Sequence, residues 1–377
     1  MRIGVVTEVT PGESRVALGP HSIHELTRAG HRVFVQRGAG EGSSIADAEY
    51  EAAGARLADE AGKIYADSEL VAKVYGPVRE EYGYLKPGLI LLSFLSLPIN
   101  PELTAALLEA RCVALAMETI RDGRGRLPIL TPMSEIAGRL TPQIGAHYLQ
   151  RPAGGRGILL GGATGVRPGR VVILGGGIVG SGAARVASGL GAEVIVIDRD
   201  LDRLRALEGS RLRNFTTLAA SSMGITDAVV RADLLIGAIF VVGARTPHLV
   251  DRETVGRMNE GSVIVDVDVD YGGCVETSRP TTLDDPTFVE CGVTHYCVKN
   301  VPAAVPVTAT RALSNALLPY VQKIAGAGLV DALNADPGLA RGVAVAEGRV
   351  VDPTLARATG AEHQPLSAVL PLHRELR

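Results

Sequence analysis

At 377 residues the chain exceeds the size at which a single hydrophobic core keeps growing, so two domains are expected. A composition that is 46% hydrophobic with no Trp suits an α/β protein whose parallel strands are buried on both faces. The net charge of −3 and the lack of a basic stripe with interleaved aromatics exclude a nucleic-acid footprint. Four cysteines, Cys112, Cys274, Cys291 and Cys297, have no CxxC spacing, which indicates neither zinc nor a disulfide framework and predicts small buried apolar residues.

The N-terminus, Met1-Arg-Ile-Gly-Val-Val-Thr-Glu-Val-Thr10, shows no signal-peptide core or cleavage site and reads as a strand, so the chain is expected to stay in the cytoplasm, away from membranes. Strand-like runs then alternate with helical patterns. Arg2 to Val6 precedes a helix over Ser22 to Ala29, and Arg32 to Gln36 precedes a helix near Ala46 to Ala53. Leu70 to Val74, Gly88 to Phe94, a helix over Glu102 to Ala110, and Cys112 to Met117 continue the rhythm, which predicts a parallel sheet. Residues 133–150 predict a long helix bridging two domains, with Ser134 near its start and Pro142 expected to bend or break it. Beyond the glycine-rich stretch Gly154 to Gly169, further strands are predicted at Phe215 to Leu218, Asp233 to Ile239 and Ser262 to Val267. A helix over Thr308 to Ala325 is expected to return to the first domain and so make it discontinuous, and the tail from Gln364 is expected to be poorly ordered.

The most informative segment is Val171-Val-Ile-Leu-Gly-Gly-Gly-Ile-Val-Gly-Ser-Gly182, followed by Val194-Ile-Val-Ile-Asp198. An apolar strand runs into Gly175, Gly177 and Gly180: the first permits a tight turn, the second lets backbone approach a pyrophosphate, and the third lets the following helix pack closely. Phosphates would sit on the helix N-terminus, where free amides and the dipole favour negative charge. Asp198 closes the next strand eighteen residues beyond Gly180, where a carboxylate accepts hydrogen bonds from a ribose diol. It favours NAD, since a carboxylate repels a 2′-phosphate, although Arg199 would tolerate one and keeps NADP open. The segment 171–197 is apolar, but Arg185, Glu193 and the glycines argue for strand-helix-strand rather than a membrane span.

Together with this turn, Arg15-Val-Ala-Leu, Gly38-Ala-Gly-Glu-Gly42, Leu130-Thr-Pro-Met-Ser-Glu-Ile-Ala-Gly-Arg139, Gly272-Gly-Cys-Val-Glu-Thr-Ser-Arg-Pro-Thr-Thr282 and His295-Tyr-Cys-Val-Lys-Asn-Val-Pro302 closely resemble the alanine dehydrogenase family from residue 1 to about 350. The nucleotide domain of membrane transhydrogenases is similar in fold, but residues 272–302 look more like the dehydrogenase. The resemblance implies two Rossmann-like α/β domains with parallel sheets, a discontinuous substrate domain over 1–128 and 305–377, an NAD-binding domain over 129–304, and a homohexamer. It implies that Arg15 holds the carboxylate of a small amino or 2-oxo acid and that Asp270 lies beside the nicotinamide and the reacting carbon. It further implies that Ser134, Val179, Asp198, Arg203, Arg279, Val298 and Asn300 line the cofactor site. Read without the resemblance, Arg15 is a loop arginine after a Pro-Gly turn and Asp270 a cap or turn residue.

Two positions depart from the family pattern. Its lysine falls in a Lys-Val-Lys-Glu-Pro run that here reads Lys73-Val-Tyr-Gly-Pro77, so Tyr75 stands in its place; its histidine falls in a Leu-His-Leu context that here reads Leu95-Ser-Leu97, so Ser96 does. Oxidative deamination must move protons as ammonia departs, and a histidine titrating near neutrality suits that task. Ser96 has no such titration, and Tyr75 donates a hydrogen bond but brings no positive charge. Candidates for compensation are Asp268, Tyr271 and Lys299, where the family usually has small or neutral residues: Lys299 would supply a positive charge or lie solvated at the surface, and Asp268 would pair with it or with a cationic substrate group. The carboxylates of Asp266, Asp268 and Asp270 are expected on one face of an extended segment. His295 reads as a hydrogen-bonded core residue and Lys73 as a structural one.

The substitutions leave three readings. The first is an NAD-dependent oxidoreductase acting on an amino, imino or 2-oxo acid other than alanine. The second is an enzyme that recycles NAD during an elimination or cyclisation, and the third a nucleotide-binding homologue without chemistry.

Overall fold

The computed structural model describes residues 1–210, 213–239 and 246–372. The chain divides into two compact units, one of Met1–Met133 with Val305–Arg377 and the other of Ser134–Ala304. The division falls within a single helix, Leu130–Tyr148.

In the first unit the predicted alternation yields six parallel strands: β1 (Arg2–Val5), β2 (Arg32–Gln36), β3 (Arg56–Ala58), β4 (Leu70–Tyr75), β5 (Ile90–Phe94) and β6 (Val113–Ala116). They lie in the order β3-β2-β1-β4-β5-β6, so the strand order reverses between β1 and β4. That reversal opens a crevice at the carboxyl ends of the strands, the place where doubly wound sheets receive ligands. The central strands are mostly apolar because helices cover both faces; Val71, Leu91 and Ala114 are fully buried.

The second unit contributes β7 (Arg170–Leu174), β8 (Glu193–Asp198), β9 (Phe215–Ala219), β10 (Leu234–Gly237), β11 (Val263–Asp266), β12 (Thr287–Glu290) and β13 (Val293–Tyr296). Its sheet runs β12-β13-β11-β10-β7-β8-β9, with β12 alone antiparallel. Without β12 the order reverses between β7 and β10, the same topology as the first unit.

The chain then re-enters the first unit through the helix Pro306–Ala327 and adds β14 (Val343–Ala346) and β15 (Arg349–Val350). β14 pairs antiparallel with β6, so the first sheet is not purely parallel as residues 1–128 predict. The C-terminal residues cap an edge that would otherwise stay open.

Three further expectations are corrected. Pro142 does not break the helix Leu130–Tyr148: the Gly138 carbonyl that a proline at this position leaves without its amide accepts the Thr141 hydroxyl at 3.1 Å. Residues 364–372 are ordered against the first unit, with the Gln364 amide donating to the Val350 carbonyl at 3.0 Å and a short helix over Leu366–Val369; residues 373–377 lie outside the described residues. Cys112, Cys274 and Cys297 are buried as expected, but Cys291 is exposed in the β12–β13 turn, where φ is +53°. Among the described residues no helix is long and apolar enough to cross a membrane.

Candidate functional site

The glycines of the nucleotide turn have separable causes. Gly175 ends β7 at φ +102°, and a Cβ there would lie 2.2 Å from the Ala238 carbonyl oxygen beyond β10. A Cβ on Gly180 would lie 1.7 Å from the Gly175 carbonyl oxygen, so the helix Ile178–Gly189 packs this close to the strand only without a side chain. Gly177 differs. It caps that helix with an extended φ of −70°, and a Cβ would meet nothing nearer than Arg203 Nη1 at 3.9 Å. The protein's own packing accounts for Gly175 and Gly180, whereas Gly177 leaves open space over the first turn of the helix, where the backbone N–H groups have no intrahelical acceptor. That is the cradle a pyrophosphate requires.

Asp198 ends β8 beside this turn and is 5% exposed. Its Oδ2 accepts the Gly176 amide at 2.6 Å and its Oδ1 the Asp200 amide at 2.8 Å, which fixes the carboxylate and leaves a lone pair on each oxygen for a diol. Arg203 Nη1 stands 3.5 Å from Oδ2, half-exposed at the mouth of the turn. Val179 lies in the first turn of the helix and touches the Leu130–Tyr148 helix so closely that a Cβ on Gly138 would lie 2.2 Å from the Val179 carbonyl oxygen. Ser134 is half-buried on that second helix.

On the other side of the sheet reversal, β11 ends at Asp266 and the chain turns at once into a short 3₁₀ segment, Val269–Tyr271. Asp266, Asp268 and Asp270 therefore do not share one face of an extended strand, and their environments diverge. Asp266 is buried, with Oδ2 accepting the Cys274 amide at 2.9 Å, the Val275 amide at 3.2 Å and the Ser278 hydroxyl at 2.8 Å. It is a structural clasp for the Gly272–Gly273 turn. Asp270 receives the Asn300 amide, and its Oδ1 lies 4.0 Å from Lys299 Nζ; burial raises its pKa while Lys299 and that amide pull it back. Asp268 Oδ2 is closed to solvent and has no hydrogen-bond partner among the described residues. Burial, with Asp266 and Asp270 adding repulsion, pushes its pKa up to about 7.

Beyond β13, Val298 is buried and Asn300 adopts φ +55°. The Arg279 guanidinium lies over the Phe288 ring at 4.1 Å, and Phe288 stacks in turn on His295. His295 is fully buried between the Thr277 hydroxyl at 2.8 Å and the Val293 carbonyl at 3.0 Å, a core residue whose pKa burial lowers.

In the first unit the candidate residues gather at the carboxyl ends of β1, β4 and β5. Arg15 is 2% exposed, and its Nε and Nη2 donate to the two carboxylate oxygens of Glu13 at 2.8 and 2.6 Å. This bidentate pair fixes the guanidinium plane. Its Cζ lies 5.9 Å from the centre of the Tyr75 ring, so the two share one locale. Ser96 sits at φ +47°, an uncommon conformation for a residue with a Cβ, held by its amide donating to Glu118 Oε1 at 2.7 Å. Lys73 is buried and structural, bonded to both oxygens of Glu81.

Sequence reasoning passed over Glu8, Glu13 and Glu118. Glu8 Oε1 accepts the Val74 amide at 2.6 Å and Oε2 the Tyr75 amide at 3.3 Å, which locks the end of β4 against β1. Burial pushes its pKa up to about 7, with Lys73 pulling the other way. Glu118 holds the Leu95 and Ser96 amides and is likewise raised by burial. A signal was available: in Val5-Val-Thr-Glu8 and Leu115-Ala-Met-Glu118 an acid follows directly on an apolar parallel strand, at the end where ligands bind. Among the described residues no cluster of His, Cys, Asp and Glu has the arrangement to hold a metal ion.

Fold and turn together define a doubly wound α/β protein with a nucleotide-binding unit. The chain belongs to the alanine dehydrogenase/PNT family: the family's N-terminal domain matches residues 4–137 and its C-terminal domain residues 141–353. It is 46% identical to the alanine dehydrogenase of Mycobacterium tuberculosis over 370 residues, covering 98% of this chain and 100% of that one. It is 47% identical to the alanine dehydrogenase of Bacillus subtilis, covering 98% of each. A solved L-alanine dehydrogenase superposes with a TM-score of 0.92 at 47% identity, covering 96% of this chain and 99% of that one.

Proposed function

We propose that this chain is an NAD-dependent oxidoreductase acting on an amino acid, imino acid or 2-oxo acid other than alanine. What carries the reading is a contrast between the units. The second keeps a turn in which Gly177 leaves room for a pyrophosphate and Asp198 is set for a ribose diol, while the first keeps Arg15 but has Tyr75 and Ser96 where the family pattern has lysine and histidine.

The residues present fit a dinucleotide. Gly175, Gly177 and Gly180 would hold its pyrophosphate and Asp198 its adenosine ribose, with Ser134, Val179, Arg203, Arg279, Val298 and Asn300 around it; NAD is favoured over NADP because Asp198 would face a 2′-phosphate. When bound, the nicotinamide supplies the acceptor for the hydride that leaves the substrate α-carbon. The rest falls to the chain. Arg15, its plane set by Glu13, would take the substrate carboxylate through its Nη groups. Asp270, its ionisation held between burial and Lys299, would accept a hydrogen bond from the α-nitrogen and steady the charge that develops there. Tyr75, with Arg15 at its ring, would contribute a hydroxyl donor, and Ser96 a short polar edge. Neither moves protons near neutrality, and the family's route for alanine depends on a group that does. Assembly as a homo-oligomer is part of the same proposal and is read by sedimentation velocity.

The test is calorimetric titration with NAD and NADP followed by NADH absorbance across a panel of amino acids, and of 2-oxo acids with ammonia. The reading predicts that NAD binds and that at least one compound is turned over faster than alanine. It fails if neither nucleotide binds or if alanine is the best substrate.

A further inference from the structure

The three carboxylates that follow β11 are unequally provided for. Asp266 has donors from two amides and a hydroxyl, and Asp270 has the Asn300 amide and the neighbouring Lys299. Asp268 lies between them in sequence, and its Oδ2 is both closed to solvent and without a hydrogen-bond partner among the described residues, although the residue keeps part of its surface open. A buried carboxyl oxygen left unpaired is costly, and a fold retains one where a ligand or another function compensates for it. Among the described residues Lys299 does not serve it: its Nζ pairs with Asp270, at 4.0 Å, from a side chain 58% exposed. A loose, solvated pair of that kind contributes little. Among the described residues the turn thus carries Asp266, Asp268 and Asp270 with Lys299 paired to the last of them, which leaves Asp268 unmatched on the same turn as Asp270.

We propose that Asp268 is a specificity residue that binds a second cationic group on the substrate, so that the preferred substrates are α-amino acids carrying a side-chain amine, or the 2-oxo acids derived from them. The inference rests on the reading that Asp270 borders the reacting carbon. The chemistry says which nitrogen Asp268 holds. Hydride leaves the α-carbon only when the α-nitrogen has a free electron pair, so that nitrogen must give up its proton before the step. An acid that kept it an ammonium would oppose turnover. A side-chain ammonium stays charged throughout, and at the part of Asp268 that stays open it brings the positive charge that the neighbouring residues withhold. Its pairing would also relieve the repulsion among Asp266, Asp268 and Asp270, which raises the pKa of Asp268 in the free protein.

The experiment compares substrates that differ by one amine on the full-length protein with NAD: 2,4-diaminobutyrate against 2-aminobutyrate, ornithine against norvaline, and lysine against norleucine, read as kcat/KM from NADH absorbance. A charge-assisted hydrogen bond predicts that the amine member of at least one pair is favoured roughly 10- to 100-fold. Asp268→Asn, close to isosteric, is expected to collapse that preference to within a few fold, and Asp268→Glu to retain part of it. The wild-type comparison needs no variant to fold. Equal values within every pair overturn the inference but leave the oxidoreductase reading intact, whereas no turnover of any amino acid, nor of any 2-oxo acid with ammonia, overturns both. A preference for glutamate or aspartate over their uncharged analogues also overturns it, by assigning specificity to Lys299 instead. A preference that survives Asp268→Asn places the recognition elsewhere and overturns it too.

Discussion

Nζ of Lys73 lies 2.7 and 2.8 Å from the two carboxylate oxygens of Glu81, with both side chains buried in the first unit. The Tyr65 hydroxyl donates to Glu81 at 3.3 Å, and Glu8 stands 3.8 Å from the ammonium on its far side. A desolvated pair of this geometry roughly balances its burial cost, but removing one partner strands a charge. Lys73→Met is therefore expected to destabilise the first unit by about 3–5 kcal/mol, because it leaves two glutamates unpaired. The double change Lys73→Met with Glu81→Leu should recover much of that loss. Urea unfolding of the three variants decides it: equal stability of Lys73→Met and wild type would show the pair to be dispensable.

Glu8 makes stability depend on pH. Its pKa is about 7 in the folded protein against 4.5 for an ordinary glutamate, so between those values the folded state keeps a proton that the unfolded chain releases. Stability from this group is complete below about pH 4.5 and declines until about pH 7, above which the full penalty of a buried carboxylate is present. Asp268 acts in the same direction, over a window from 3.8 to about 7. Glu8→Gln keeps an acceptor for the Val74 amide and removes the ionisation, so it should raise stability at pH 8 by on the order of 2 kcal/mol and flatten the decline between pH 5 and 7. Thermal melts of both proteins across that range test the slope. An unaltered slope in the variant would mean that Glu8 is ionised throughout.

The three glycines of the nucleotide turn should separate folding from binding. Gly180→Ala places a methyl 1.7 Å from a backbone oxygen and has nothing flexible to displace, so a loss of about 3 kcal/mol or more is expected. Gly177→Ala meets no atom within 3.8 Å and caps the helix about 1 kcal/mol less well, so the fold should survive. NAD affinity of that variant, measured by calorimetry, should fall at least tenfold because the methyl occupies the space left for the pyrophosphate. Retained affinity would move the phosphates off this turn.

How much of this was legible depended on whether the sequence signal was local. The strands β1, β2, β4, β5, β6, β7 and β8 are continuous apolar runs, and the Gly175 turn announces itself because strand, glycine spacing and terminal acid fall within thirty residues. β3 is three residues of Arg56–Ala58 and half-exposed, too short for periodicity to register. β14 is as apolar as its neighbours, but its antiparallel place beside β6 depends on pairing across more than two hundred residues, which no local pattern encodes. Arg15, Asp198 and Asp270, proposed here for the site, are residues that motifs pick out. The partners that define their state are not: Glu8 holding the Tyr75 amide and Glu118 holding Ser96 come from the ends of different strands, and Glu13 clasps Arg15 from two residues away in the loop after β1. The extended Asp266 to Asp270 face failed because the chain turns at Val267 and Asp268, directly after β11, and enters a 3₁₀ segment at Val269.

The two departures that the resemblance implies, Tyr75 for lysine and Ser96 for histidine, admit a direct reversal. Tyr75 and Ser96 lie at the end of β4 and just beyond β5, and both backbones are held by acids, Glu8 for one and Glu118 for the other, so a new side chain at either position inherits a fixed origin. Ser96 already occupies φ +47°, a conformation in which histidine is among the better tolerated residues, so Ser96→His adds little backbone strain. A lysine at 75 meets an Arg15 whose charge Glu13 already neutralises, so repulsion between the two cations is small. Wild-type turnover of L-alanine is expected to be low. The double variant Tyr75→Lys with Ser96→His should raise kcat/KM for L-alanine by roughly 10²- to 10⁴-fold, the range a positioned proton-transfer group supplies, and should bring in a pH dependence with an inflection near neutrality that the wild type lacks. The single variants should each recover less than their product, because proton transfer and carboxylate alignment act on one transition state. Steady-state kinetics from pH 6 to 10 measure this; strong alanine turnover by the unmodified protein would show that Tyr75 and Ser96 do the work of the residues they replace.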